Sequence, residues 1–160
     1  MLCVGVASAD PRSDLQLSLS VAPNPQQASY ADPKSHFLVL LRNHGGHDRR
    51  IWETSNSWGY FNLFFELTDS AGRKWVIKKR DTIFTVNLPS FITIVPGQIY
   101  IFDVYFGNER EWQGLPLQRV ESQPVQIRAL YDSQPTPESK GSDVWTGHLE
   151  SPIVNLTFVK

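Results

Sequence analysis

Leu15, Leu17, Leu19 and Val21 alternate with Gln16, Ser18 and Ser20, and this period of two predicts a half-buried strand. Proline cannot continue a ladder, so Ala22-Pro23-Asn24-Pro25 ends it. After a polar loop through Asp32-Pro33, Phe37 to Leu41 is apolar on both faces, as a central strand would be. Asn43-His44-Gly45-Gly46 reads as a turn. Phe61, Leu63, Phe65 and Leu67 then point one way, with Tyr60, Asn62, Glu66 and Thr68 the other. Asp69-Ser70-Ala71-Gly72 is a tight connection, and Arg73 to Lys79 returns with Trp75 and Ile77 on one face.

Thr82 to Leu88 reads as a shorter strand, and Phe91 to Val95 leads into the turn dipeptide Pro96-Gly97. Alternation resumes at Tyr100, Phe102, Val104 and Phe106, and again at Val125, Ile127, Ala129 and Tyr131. Val144 to Leu149 and the set Val154, Leu156 and Phe158 complete the series. About nine strands at this spacing, with no amphipathic helix of about ten residues or more, predict an all-β chain. Without helices to cover a parallel sheet, the architecture expected is a single antiparallel β-sandwich. Residues 132–143, rich in Pro, Ser and Gly, form the loop expected to be most mobile.

Composition narrows the function classes. The chain has 160 residues, 41% of them apolar, enough for one domain with a real core. Fifteen basic against sixteen acidic side chains leave a net charge of -1, so no global field favours nucleic acid or an anionic membrane. No stretch approaches the roughly 18 to 20 apolar residues of a membrane-spanning helix.

At the N-terminus, apolar Leu2 to Ala7 is followed by Ala7-Ser8-Ala9, the small-x-small form of a signal-peptidase site. Residues 1–9 are read as the remnant of an export signal and residues 10–160 as the domain, which implies a secreted or periplasmic protein. Cys3 falls inside that remnant, so the mature domain has no disulfide and depends on its core.

Phe65-Glu-Leu-Thr-Asp69-Ser-Ala-Gly72-Arg-Lys-Trp75, then Pro96-Gly97-Gln-Ile-Tyr100-Ile-Phe102-Asp-Val104 and Trp112, resembles the core of the bacterial intracellular proteinase inhibitor family. Val125 to Tyr131 with Trp145 to Ser151 is similar to the closing strands of exported bacterial immunoglobulin-like domains. The resemblance implies an immunoglobulin-like sandwich and, more distantly, a loop presented to a protease cleft.

Chemistry-bearing clusters are few. His44, His47 and Asp48 gather two imidazoles and a carboxylate on a glycine-rich turn, a possible start of a zinc or copper site. Their spacing matches no established zinc pattern, and a plain polar turn is the simpler reading. Trp52, Trp58, Trp112 and Trp145 sit near loops or strand ends, where exposed rings could stack on sugars or anchor proteins; filling the core is the simpler reading at each position. Arg73, Lys74, Lys78, Lys79 and Arg80 split between two strand faces and read as protection of a sheet edge. Asp103 has no carboxylate partner nearby in sequence.

Neither a Gly-x-Ser-x-Gly elbow nor a His-Glu-x-x-His helix occurs, and no cofactor is implied. The expectation is a non-enzymatic module holding a protein partner through end loops or a sheet edge. A proteinase inhibitor and a glycan-binding module are the alternatives.

Overall fold

The computed structural model describes residues 15–21, 27–29, 36–107, 110–116 and 123–159. The export remnant, the Ala22–Pro25 terminator and the Asp32-Pro33 loop lie outside them. Within these limits the chain is an all-β sandwich with ten strands of four residues or more and two shorter ones.

One sheet has the order β1 (Leu15–Val21), β3 (Phe37–Asn43) and β8 (Ile99–Val104). The larger sheet runs β2 (Gln27–Ser29), β12 (Val154–Val159), β10 (Gln123–Ser133), β5 (Leu63–Asp69), β6 (Lys74–Lys79) and β9 (Trp112–Gln113). β11 (Gly147–Glu150) also lies against β10. A ribbon of β4 (Arg49–Trp52) with β7 (Phe91–Ile94) continues the β3–β8 pairing past a break. All these pairs are antiparallel except β2 with β12.

Alternation explains the layers. Phe37, Val39 and Leu41 from β3 and Phe102 and Val104 from β8 are buried. They face Phe65, Leu67, Ile77, Ile127 and Tyr131 from the larger sheet within one core. Rings meet edge to face, Phe37 on Phe65 at 5.5 Å and Phe65 on Trp112 at 5.4 Å, the geometry their quadrupoles favour. Burial pushes the Tyr131 phenol up to about 12, so it stays neutral in the core.

Three irregularities shape the sheets. Asn43 is fully buried at the break between β3 and β4; its amide donates to the carbonyls of His47 and Ile94, and its oxygen accepts from the Gly45 N–H. It therefore ties the His44 turn to the Pro96-Gly97 turn.

Between β11 and β12 the chain is one residue longer than its partner, since Leu130 faces Glu150 but Ile127 faces Val154. The Ser151 hydroxyl accepts the Ala129 N–H that this bulge would otherwise strand.

Residues 132–143, expected as a loose loop, contain α1 (Pro137–Gly141). Its Thr136 and Ser139 cap each other reciprocally, and Pro137 occupies the first turn, where its missing N–H is harmless.

The predicted strand at Thr82–Leu88 is instead an irregular segment joining the two layers, and β4, β2 and β9 carried no clear alternation. Asp69 holds the β5–β6 hairpin: its carboxylate accepts from the Ala71 and Arg73 N–H groups and from the Arg73 guanidinium at 2.7 Å.

Candidate functional site

The predicted site residues do not converge. Trp52 and Trp112 are buried, so neither offers a ring to a ligand. Trp58 is half-buried and tilts against Trp52 at 5.7 Å. Trp145 packs on Tyr131 at 6.2 Å, and a Cβ at Gly147 would strike its ring at 2.8 Å. Trp52 and Trp112 are therefore framework, whereas Trp58 and Trp145 are half-buried.

His44, His47 and Asp48 are exposed on their turn, and among the described residues no three His, Cys, Asp or Glu side chains assemble a metal-ligand set. The turn is organised instead by Asn43 beneath it. Asp103 does have a partner: His36 Nδ1 lies 2.7 Å from its carboxylate, and the imidazole stacks on Tyr105. Both members of the pair are open to solvent.

On the outer face of the larger sheet, Arg128 bridges Glu66 at 2.6 Å and Glu150 at 2.5 Å, and His148 completes the row. Its side chains satisfy one another across three strands. An open pocket of about 700 Å³ beside α1 is lined by Thr136, Lys140, Asp143, Val144 and Thr146, and includes none of the predicted site residues.

No family model matches the chain, and no curated protein does.

The feature that stands out is one the alternation disguised. From Thr82 to Phe102 the chain has no Asp, Glu, Lys or Arg, although charged residues make up 19% of the whole. Among the described residues, seven of the ten exposed large apolar side chains fall between Ile83 and Ile101. Absence of charge over that length was the readable signal; strand-like alternation at Phe84, Val86 and Leu88 masked it.

The most exposed of these lie between β6 and β7. Ile83 is 90% exposed, Val86 72% and Leu88 70%. A loose loop would fold such groups back; this one is held at several points.

At its start the Arg80 N–H donates to the Glu111 carbonyl and its guanidinium to the Trp112 carbonyl. Midway, the Phe84 ring stands edge-on against Tyr60 at 5.6 Å. Tyr60 is itself fixed by Phe61 at 4.9 Å and by the Lys79 ammonium 5.3 Å from its ring. Lys79 is nearly buried, pairs with Glu111 and sits 4.2 Å from the Trp112 ring. Burial, reinforced by the Glu111 charge, raises the Tyr60 phenol above its ordinary value.

At the far end, Asn87 exchanges hydrogen bonds with Ser57, its oxygen taking the Ser57 N–H at 2.9 Å and its amide meeting the hydroxyl at 2.8 Å. Ser90 donates to Glu53 and accepts from Asn56. Asn56 is the buried hub below: its oxygen accepts from the Trp58 and Gly59 N–H groups, and its amide reaches the Ser90 carbonyl. Gly59 passes so close that an added Cβ would lie 2.2 Å from the Glu53 oxygen. The loop is thus bolted to a rigid floor, with three aliphatic side chains left outside.

Proposed function

We propose that the chain is a non-catalytic binding module that holds a protein partner through residues 80–90 at one end of its sandwich. The observation that carries this is the display of Ile83, Val86 and Leu88 on a loop anchored at Arg80, Phe84, Asn87 and Ser90. Exposed aliphatic groups gain free energy when a partner covers them, about 1.5 to 3 kcal/mol each on full burial. A loop already ordered loses little conformational entropy on docking, which keeps more of that gain in the affinity. Loops mounted on a rigid sandwich are a common place for recognition.

In this reading the module acts outside the cytoplasm, in keeping with Ala7-Ser8-Ala9 near its start. Immunoglobulin-like kinship fits the sandwich and belongs to the same proposal. The test compares wild-type chain with the triple variant Ile83→Ser, Val86→Ser, Leu88→Ser as baits in the exported proteome of the source cell. One partner retained by the wild type and lost by an equally stable variant supports the loop. Equal recovery by both removes it.

A second reading is favoured by the same anchoring. A loop outside any strand pairing and fixed at both ends suits a protease cleft, where a substrate-like segment must bind without relaxing after contact. A panel of serine proteases titrated with the chain would show near-stoichiometric loss of activity for at least one enzyme. Full activity throughout the panel rejects inhibition while leaving other protein partners to the bait experiment.

A further inference from the structure

Two borders of the sheets, at β6 and at β8, differ in a way that points to a second surface. β6 carries exposed Lys74 and Lys78, and its end is covered where Lys78 and Lys79 pair with β9. Lysines and a covering strand are the usual protections of a sheet edge. β8 has neither: among the described residues it pairs only with β3. Its outer face presents Ile99, 41% exposed, Ile101, 51% exposed, and then Asp103. Alternate N–H and C=O groups of such a strand point away from the sheet and offer a template for another strand.

We infer that β8 is a self-association edge, pairing antiparallel with β8 of a second copy of this chain to make a continuous sheet of β1, β3 and β8 from each. A two-fold contact requires the edge to complement itself. Centring the pairing on Ile101 uses the strand from Ile99 to Asp103 and sets Ile101 against its own counterpart. Asp103 then lies opposite Ile99 of the second copy.

In the β3–β8 register Ile99 faces Arg42, an exposed residue on the same side of the sheet. Arg42 of the second copy therefore stands two strand spacings, about 10 Å at the backbone, from Asp103, within joint reach of the two side chains, where it would join His36 at that carboxylate. The symmetry makes this ion pair twice. Thr82 to Phe102 contains no charge, so Ile99 and Ile101 meet without repulsion. A second copy fits this edge by charge as well as by shape.

This inference is independent of the loop at residues 80–90. Sedimentation velocity of the full chain, from low micromolar to about 1 mM, is the test. A dimer is expected, with Ile101→Lys raising its dissociation constant by at least about tenfold at unchanged melting temperature. Arg42→Glu should also weaken it, while Arg42→Lys should keep it within about threefold of wild type. The loop triple variant should dimerise as the wild type does. A chain monomeric over the whole range overturns the inference, as does a dimer indifferent to Ile101→Lys. A dimer lost in the loop variant places the contact elsewhere and overturns it too.

Discussion

Residues 53–62 and 80–90 meet at the same end of the molecule and are built on opposite plans. The first segment turns its polar groups inward: Asn56 is buried, and its amide satisfies backbone groups of Trp58, Gly59 and Ser90. The second turns its apolar groups outward, leaving Ile83, Val86 and Leu88 in water although a core lies beneath. Each plan reverses the usual sorting, in which polar groups face solvent and aliphatic groups leave it. The pair makes sense together. A buried, fully hydrogen-bonded floor keeps the upper loop from collapsing, and the upper loop gains nothing for the fold from its aliphatic tips. What the contrast teaches is that exposure here is imposed by anchors rather than left over from poor packing.

Breaking the floor should cost most. Asn56→Ala strands the Trp58 N–H and removes three further hydrogen bonds, to the Gly59 N–H, the Ser90 carbonyl and the Ser90 hydroxyl, and should lower stability by about 3 kcal/mol in urea unfolding. Gly59→Ala forces a Cβ into the Glu53 carbonyl and should destabilise by about 2 kcal/mol in the same measurement.

The Asp69 turn gives a reference outside the pair. Burial alone would raise its carboxyl, but hydrogen bonds from the Arg73 backbone and guanidinium and from Ala71 outweigh that and hold it below 3.8. The stability it contributes is therefore full above 3.8 and is lost as pH falls through the lowered folded-state value. Wild type should melt above Asp69→Asn near neutrality, with the gap closing in acid.

Phe84→Ala removes one anchor and should cost about 1 kcal/mol, together with faster amide exchange at Thr85 to Asn87. Ile83→Ser should change stability by less than about 0.5 kcal/mol, because it removes no folded-state packing. An Ile83→Ser cost as large as that of Asn56→Ala would abolish the distinction between the two loops.

The β5–β6 hairpin was plain in the sequence because Asp69 and Gly72 bracket a tight turn between alternating strands, and Gly72 takes a φ of 79°. β3 was recognisable as a central strand from Phe37 to Leu41, and it lies between β1 and β8. β4 escaped notice because Arg49 and Arg50 hide a strand whose apolar part is only Ile51 and Trp52. α1 is too short to show a helical period, although Thr136-Pro137 with Ser139 carried the capping signal. The loop was misread for a deeper reason. Alternation records which side chains share a face, and it does not say whether anything covers that face. Proximity to strand ends likewise said nothing about which tryptophan rings the second layer would bury: Trp52 and Trp112 are buried, while Trp58 and Trp145 are half-buried.

Backbone order parameters from 15N relaxation across residues 80–90 test the anchored display most directly. The account predicts values near those of β5, about 0.85, through Ile83, Val86 and Leu88 in the free protein. Values below about 0.6 over that stretch would mean that the loop samples many conformations, and would contradict it.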